Sequence, residues 1–362
     1  MTRPLVSVVV NTYNHERFIA QALQSVLDQN FPADQMEIIV VDDGSTDATP
    51  QAIQPFLAKI RYIRKQNGGQ VSAFNAAVAE ACGDIIAFLD GDDWWAKNKL
   101  SSVVAAFEKH PRIACIGHAY HEVEENGRII GTMIPTGDFL SLENPRIAQL
   151  SSSLRVFLGT SRFAIRRAAL EKALPVPAEL PFFDNFVFSQ AVAISGAVLL
   201  LDPLCYYRLH SQNLYAPTSA SSPNAERLRW TRYRLLSGLL QHLPPRLSRL
   251  GITEETISAF LDFDRLELRQ LRLVLTGGKR SETFRIERAA FHLDYRDPDL
   301  GYRLFKYFVL SLTILLPPRA FYRLRSWYGE HKLSALRKYI GGAAPTVPLV
   351  ERRTPEVTGK PQ

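Results

Sequence analysis

Four short apolar runs, each closing on a polar turn and separated from the next by a helix-like segment, constrain the N-terminal part of this chain more than any other feature. Leu5-Val6-Ser7-Val8-Val9-Val10 has the length and composition of a buried strand. Between His15 and Gln29, the residues Phe18, Ile19, Ala22, Leu23, Val26 and Leu27 recur at helical spacing and mark one apolar face. A second strand over 37–41 ends at Asp42-Asp43-Gly44-Ser45, and Thr46-Asp47 is placed to cap a helix reaching about residue 58. A third strand over 60–64 leads through Asn67-Gly68-Gly69 into a helix over 71–81. The fourth, over 84–89, closes on Asp90-Gly91-Asp92-Asp93. Strands joined by helices imply a largely parallel sheet, whose ligands sit beyond the carboxyl ends of the strands. Both acidic clusters stand at such ends.

The pattern then becomes mixed. A helix over 100–110, a strand region over 113–123 turning at Asn126-Gly127, and a loop-like stretch over 135–153 precede a strand and helix within 162–174. A helix over 184–195 and an apolar strand over 197–201 come before Pro203. Residues 213–224 form a linker, centred on a stretch rich in Ser, Ala and Pro, and helical patterns follow over 225–242, 254–276 and 301–316. Residues 341–362, rich in Pro and Thr, are expected to be disordered. Charge changes with texture: residues 216–362 hold 25 Lys and Arg against 14 Asp and Glu, whereas residues 1–215 hold 18 against 22. The three cysteines are far apart and no signal-peptide pattern opens the chain, so a reducing cytoplasmic setting is expected.

Six carboxylates in two clusters carry the chemical signal: Asp42, Asp43 and Asp47, then Asp90, Asp92 and Asp93. Either cluster alone reads as turn formers and helix caps. Together they point to a cation, because neighbouring carboxylates repel unless something compensates. Asp90 and Asp92 point oppositely in an extended segment, and a turn at Gly91 brings both into one cleft. Hard oxygen ligands suit Mg²⁺ or Mn²⁺ bridging to a diphosphate. Competing signatures are missing: no G-x-G-x-x-G follows Val10, and there is no P-loop, G-x-S-x-G or H-E-x-x-H. His118 and His121, on an expected strand, do not make a metal site.

Three segments, Ser7-Val8-Val9-Val10-Asn11-Thr12-Tyr13-Asn14, Val40-Val41-Asp42-Asp43-Gly44-Ser45-Thr46-Asp47 and Phe88-Leu89-Asp90-Gly91-Asp92-Asp93-Trp94-Trp95, resemble the motifs of the family-2 glycosyltransferases in order and spacing. Pro203-Leu204-Cys205-Tyr206-Tyr207-Arg208-Leu209-His210 resembles the element that closes that family's catalytic domain, so the likeness covers about residues 4–212. It implies an α/β fold of the GT-A type: a Rossmann-like, mostly parallel sheet flanked by helices, here with a mainly helical C-terminal appendage. The implied domains are a nucleotide-sugar-binding catalytic domain over 1–212, the linker 213–224, a basic helical region over 225–340 and the tail 341–362.

The resemblance also implies roles. Thr12, Tyr13 and Asn14 line the nucleotide pocket, Asp42 accepts from the base edge, and Asp90 holds the ribose. Asp92 is the main ligand of Mn²⁺ or Mg²⁺ with Asp93 close by, and Asn67 and Asn75 shape the floor. Phe74 stands where many relatives carry Arg, and Phe183 where they carry Glu. Asp184 matches the general base. Its neighbours Phe182, Phe183, Phe186 and Phe188 would raise its pKa, which suits that role, and the alternative is that it caps the following helix. Two roles stay open for Arg208 and His210: contact with the diphosphate or metal, or locking a lid to the sheet.

Residues 305–316 form an apolar run of about twelve residues, short of the roughly twenty that span a bilayer. Beyond Pro317-Pro318, basic residues alternate with aromatic ones, a mixture that suits a helix on an anionic membrane surface through 301–340. The alternative is packing on the catalytic domain or a second copy. No nucleic-acid module is present, so nucleic acid is not an expected partner. The expected function is metal-dependent, inverting transfer of a sugar from a UDP-type nucleotide-diphosphate donor to a hydroxyl of a cell-envelope glycan or lipid-linked acceptor, on the inner face of the membrane. The rival is a non-catalytic nucleotide-sugar-binding or scaffold protein. Self-association is left open.

Overall fold

The computed structural model describes residues 5–135, 139–140, 142, 155–210, 213, 223–293, 300–330 and 350–353. The first part runs β1 (Val6–Thr12), α1 (Ile19–Leu27), β2 (Met36–Asp42), α2 (Thr49–Ile53), β3 (Arg61–Arg64), α3 (Gln70–Glu80) and β4 (Ile85–Asp90). Next come β5 (Trp94–Trp95), α4 (Lys99–Lys109), β6 (Cys115–Glu124), β7 (Ile129–Pro135) and β8 (Phe139–Leu140). The sheet is completed by β9 (Phe163–Arg166), α5 (Arg167–Ala173), α6 (Asp184–Ser195) and β10 (Ala197–Leu209). The helices α7 (Pro223–Arg249), α8 (Glu254–Thr276), α9 (Arg280–Leu293), α10 (Leu300–Leu315) and α11 (Pro318–Glu330) follow, with β11 (Val350–Arg353) beyond them. Most of the 135–153 loop, of the 213–224 linker and of the 341–362 tail lies outside the described residues.

The strands lie in the order β11-β7-β6-β9-β4-β1-β2-β3, with β10 against β5, β6 and β8. β1 is parallel to both β2 and β4, and β3 is parallel to β2. All seven residues of β1 are buried, which is why the strand reads as a continuous apolar run rather than an alternation. On the other side of β4 the sheet turns mixed, since β9 is antiparallel to β4 and β6 while β10 is parallel to β6. This is the expected α/β architecture with a helical C-terminal region.

Two elements outrun their sequence signals. Pro203 marks an end to β10 in the sequence, yet the strand continues to Leu209 through register shifts on either side of Pro203. An irregularity of this kind is where a sheet tolerates proline. Similarly, α7 continues through Pro244-Pro245 to Arg249, because Leu235, Leu236, Leu239, Leu243 and Leu247 all enter the main core beside the sheet residues. That core therefore extends across the linker: α7 is part of the body that carries the sheet. A second, smaller cluster joins Leu266 and Leu273 of α8, Ile286 of α9, and Phe321 and Tyr322 of α11. Among the described residues, no helix is long and apolar enough to cross a membrane.

Under the carboxyl end of β4 lies an aromatic knot. Phe74 of α3 stacks on Phe183 at 3.9 Å with an interplanar angle of 18°, and Phe88 of β4 lies 5.5 Å from each. Phe163 of β9 completes it, 4.9 Å from Phe88. Phe74 and Phe183, the two positions at which the sequence departs from the resembled pattern, are thus each other's packing partner: two apolar rings fill the space together. Truncating either to Ala is expected to cost about 3–5 kcal/mol in denaturant unfolding. The double variant should cost about 1 kcal/mol less than the two single losses combined, because the stacked contact can be removed only once. Strict additivity would contradict the pairing.

Candidate active site

Strand register creates the cleft. Thr12 lies opposite Asp42 and Asn11 opposite Asp90, so β1, β2 and β4 end side by side and their turns converge. Asn14, with a left-handed φ of 55°, ties the first turn to the second: its Oδ1 accepts from Thr46 N at 2.8 Å, and its N–H donates to Ser45 Oγ at 2.9 Å. Tyr13 beside it presents a ring that is 43% exposed. Asp42 is fully buried; Oδ1 accepts from Ser45 N at 2.7 Å and Oδ2 from the Tyr62 hydroxyl at 2.8 Å. Both oxygens thus help hold the wall of the pocket, and each keeps a second lone pair on which a further donor can be accepted. Asp43 does the same for the next loop, accepting from Lys65 Nζ, Gly68 N and Gly69 N at 2.7, 3.0 and 2.7 Å. The Asn67 backbone crosses so close to Gly44 that a Cβ there would stand 2.8 Å from Asn67 N.

The Asp90–Asp93 turn forms the other wall. Gly91 is required there, since a Cβ would come within 2.7 Å of Thr12 Oγ1 and 2.8 Å of His15 Nδ1. The three carboxyl groups of the turn differ sharply. Burial, reinforced by Asp92, Asp93 and Asp184, pushes Asp90 well above the usual carboxylate range. Burial alone would raise Asp92 too, but His15 and His210 hold it below the ordinary value. His210 Nε2 lies 3.0 Å and His15 Nε2 3.7 Å from Asp92 Oδ2. Asp93 is 2% exposed, accepts from Arg208 N at 2.9 Å, and is pushed up to about 7 by burial and by Asp92. It supports the turn from within.

Several expected site residues also make contacts within the fold. Arg208 donates to Asp92 O at 2.9 Å, to Gln21 Oε1 at 2.6 Å and to Glu125 O, with its guanidinium over both Trp94 and Phe18. That arrangement fits the second of its two roles, locking the 203–210 strand to the sheet. Asn75 donates to Val176 O at 2.9 Å and accepts from Val176 N at 3.1 Å, so its amide clamps α3 to the segment before α6. Asp184 is the first residue of α6; its Oδ1 accepts from Asn185 N at 2.6 Å and from Asn185 Nδ2 at 2.9 Å. Burial raises its pKa, the direction expected from the surrounding phenylalanines, and its charge is felt at Asp90.

Sequence reasoning missed the groups that brace the acidic turn. Ser161 Oγ accepts from Asp90 N at 3.0 Å, while Ser161 O accepts from Trp95 Nε1 at 3.1 Å and from Lys99 Nζ at 2.7 Å. Lys99 is fully buried, which lowers its pKa to about 7. Arg162, which lies over the rings of both Tyr120 and Tyr207, supplies positive charge to Asp90, Asp93 and Asp184. Gln70 reaches Asp90 Oδ1 at 3.4 Å while its Oε1 is buried without a partner. None of these sits in a motif; they reach the turn through the tertiary fold.

Among the described residues, no three His, Cys, Asp or Glu side chains form a cation cage. The donors present nevertheless fit Mg²⁺ or Mn²⁺, because such ions commonly take one or two protein ligands and complete their shell with water and substrate phosphate. Asp92 offers an ionised carboxylate at the cleft, with His210 against it.

Asn75→Ala is expected to lower stability in denaturant unfolding by about 1–3 kcal/mol, because it strands the Val176 backbone groups. Unchanged stability would contradict the clamp.

Known proteins share the family and the fold. The family model described as glycosyl transferase family 2 matches residues 7–174. The chain is 32% identical over 227 residues to an uncharacterized glycosyltransferase of Nostoc sp., covering 61% of this chain and 70% of that protein. It is 28% identical over 225 residues to the poly(ribitol-phosphate) beta-N-acetylglucosaminyltransferase TarS of Staphylococcus aureus, covering 60% of this chain but only 38% of that protein's length. The crystal structure of S. aureus TarS 1–349 in complex with UDP-GlcNAc shares the fold, with a TM-score of 0.54 at 20% identity over 98% of each chain. The chain belongs to glycosyl transferase family 2.

Proposed function

We propose that this family-2 glycosyltransferase moves a sugar from a UDP-linked donor to a hydroxyl of a cell-envelope glycan or lipid-linked acceptor, inverting the anomeric centre in one displacement. The observation that carries this reading is the convergence of the ends of β1, β2 and β4, with Asp92 and Asp184 within electrostatic reach of Asp90. The staphylococcal relative supports a UDP-sugar donor and a cell-envelope acceptor by its name and by its solved complex with UDP-GlcNAc. Cys82, Cys115 and Cys205 are not joined in a disulfide, in keeping with a reducing, cytoplasmic compartment.

In this reading Thr12, Tyr13 and Asn14 border the nucleotide, Asn67 shapes the floor of its pocket, and Asp90 meets the ribose hydroxyls. Asp92 and His210 would hold Mg²⁺ or Mn²⁺, which when bound would neutralise charge developing on the leaving diphosphate. Asp184 accepts the proton of the acceptor hydroxyl as that oxygen attacks the anomeric carbon, and the bond from that carbon to the diphosphate oxygen breaks. Asn185 holds one oxygen of Asp184 from two donors, which orients the carboxylate for proton transfer.

A base must be ionised, and burial raises the Asp184 pKa. Turnover should therefore fall as pH drops through a value above the ordinary carboxyl range, and UDP binding should not follow that limb. Asp184→Asn is expected to reduce kcat by about 100- to 10,000-fold with nucleotide affinity retained. Loss of nucleotide binding instead would make Asp184 structural. Asp92→Asn should abolish turnover that depends on added Mn²⁺, measured as UDP release from a panel of UDP-sugars with an envelope-glycan extract. Near-normal activity of that variant would remove Asp92 from the metal site. Nucleotide binding by the unmodified chain without turnover across the panel would favour a scaffold.

A further inference from the structure

α10 is apolar on both sides. Val309, Leu312 and Leu316, just past its end, pack inward on the second core cluster. Facing outward, Leu304, Tyr307, Phe308, Ile314 and Leu315 are 59%, 61%, 59%, 59% and 67% exposed. Their spacing places them along one flank of the helix, forming an uncovered apolar ridge rather than scattered single residues. A cleft of about 540 Å³ opens between α7, α8 and α11, the helix that follows the ridge. Arg229, Arg319, Arg323 and Arg325 line it, with Glu226 and Glu267 as the opposing carboxylates. Glu267 is already held by Arg232 through two bonds of 2.8 Å, and Arg325 is held by Glu287. Arg319 and Arg323 are exposed.

We propose that α10 and α11 form a docking face for an anionic phospholipid bilayer, with the outer flank of α10 entering the boundary between headgroups and acyl chains and the arginines of the adjoining cleft taking lipid phosphates. A helix of 16 residues is too short to span, and one that lies in the interface needs this combination of an apolar flank and nearby cationic groups. Charge selects this occupant over a second copy of the chain. Residues 300–329 carry five Arg and Lys and no Asp or Glu, so a two-fold contact through α10 and α11 would set like charges against each other, whereas anionic headgroups complement them. The proposal does not depend on the donor or the metal.

The test uses the full chain in sedimentation with vesicles of phosphatidylcholine alone or of equimolar phosphatidylcholine and phosphatidylglycerol. Pelleting is expected only with the second mixture and should weaken as salt is raised. Phe308→Asp combined with Leu315→Asp should abolish it, and Arg323→Gln should weaken it roughly fivefold. Both variants should keep the cooperative thermal unfolding of the unmodified chain, which separates lost docking from lost folding. Equal pelleting with both vesicle types, or unchanged pelleting of the variants, would overturn the proposal. A dimer in light scattering that Phe308→Asp dissociates, without vesicle binding by the unmodified chain, would overturn it in favour of a second copy.

Discussion

Carboxyl groups crowded into one cleft must be protonated, neutralised or held apart, and this protein is arranged around how Asp90, Asp92 and Asp93 meet that demand. Burial acts on all three in the same direction, toward the neutral form. Two histidines reverse it at Asp92 alone. Three adjacent acids thereby become chemically distinct: Asp92 stays charged at the mouth, Asp90 is pushed toward its neutral form beside it, and Asp93 is built into the turn. Divergence of this kind between neighbouring groups accompanies a division of labour.

The cost of holding those groups close is met by the layer behind them. Ser161 joins the β4 end to Lys99 and Trp95 through its hydroxyl and its carbonyl. Arg162 places a cation among carboxylates from two distant segments of chain, the turn after β4 and the start of α6. Arg208, packed over both Trp94 and Phe18, fixes the closing strand against the same turn. The sheet supplies position, the helices supply burial, and these polar braces let the acidic turn persist before any ligand arrives.

Much of this was legible because parallel strands covered on both faces must be apolar throughout, so β1, β2 and β4 announce themselves, as does the acidic turn each of the latter two leads into. The motif residues Asp42, Asp90 and Asp92 were legible for the same reason. What escaped depends on long-range packing. Nothing local marks His15, Lys99 or Arg162 as neighbours of the acidic turn; each is brought there by the fold. Proline misled twice, at Pro203 in β10 and at Pro244-Pro245 in α7, where tertiary contacts outweighed a local stop signal. Phe74 and Phe183 read as two separate departures from a pattern, and only their 3.9 Å stack shows them to be one.

The central claim is that acidic side chains from separate strand ends share a single donor site. A crystal of the full chain soaked with UDP and Mn²⁺ tests it most directly. The account expects one ion on Asp92 in contact with the diphosphate, the nucleoside lying along Thr12–Asn14, and Asp184 facing the open side. UDP bound elsewhere, or Asp92 still held by His15 and His210 with no ion beside it, would contradict the account.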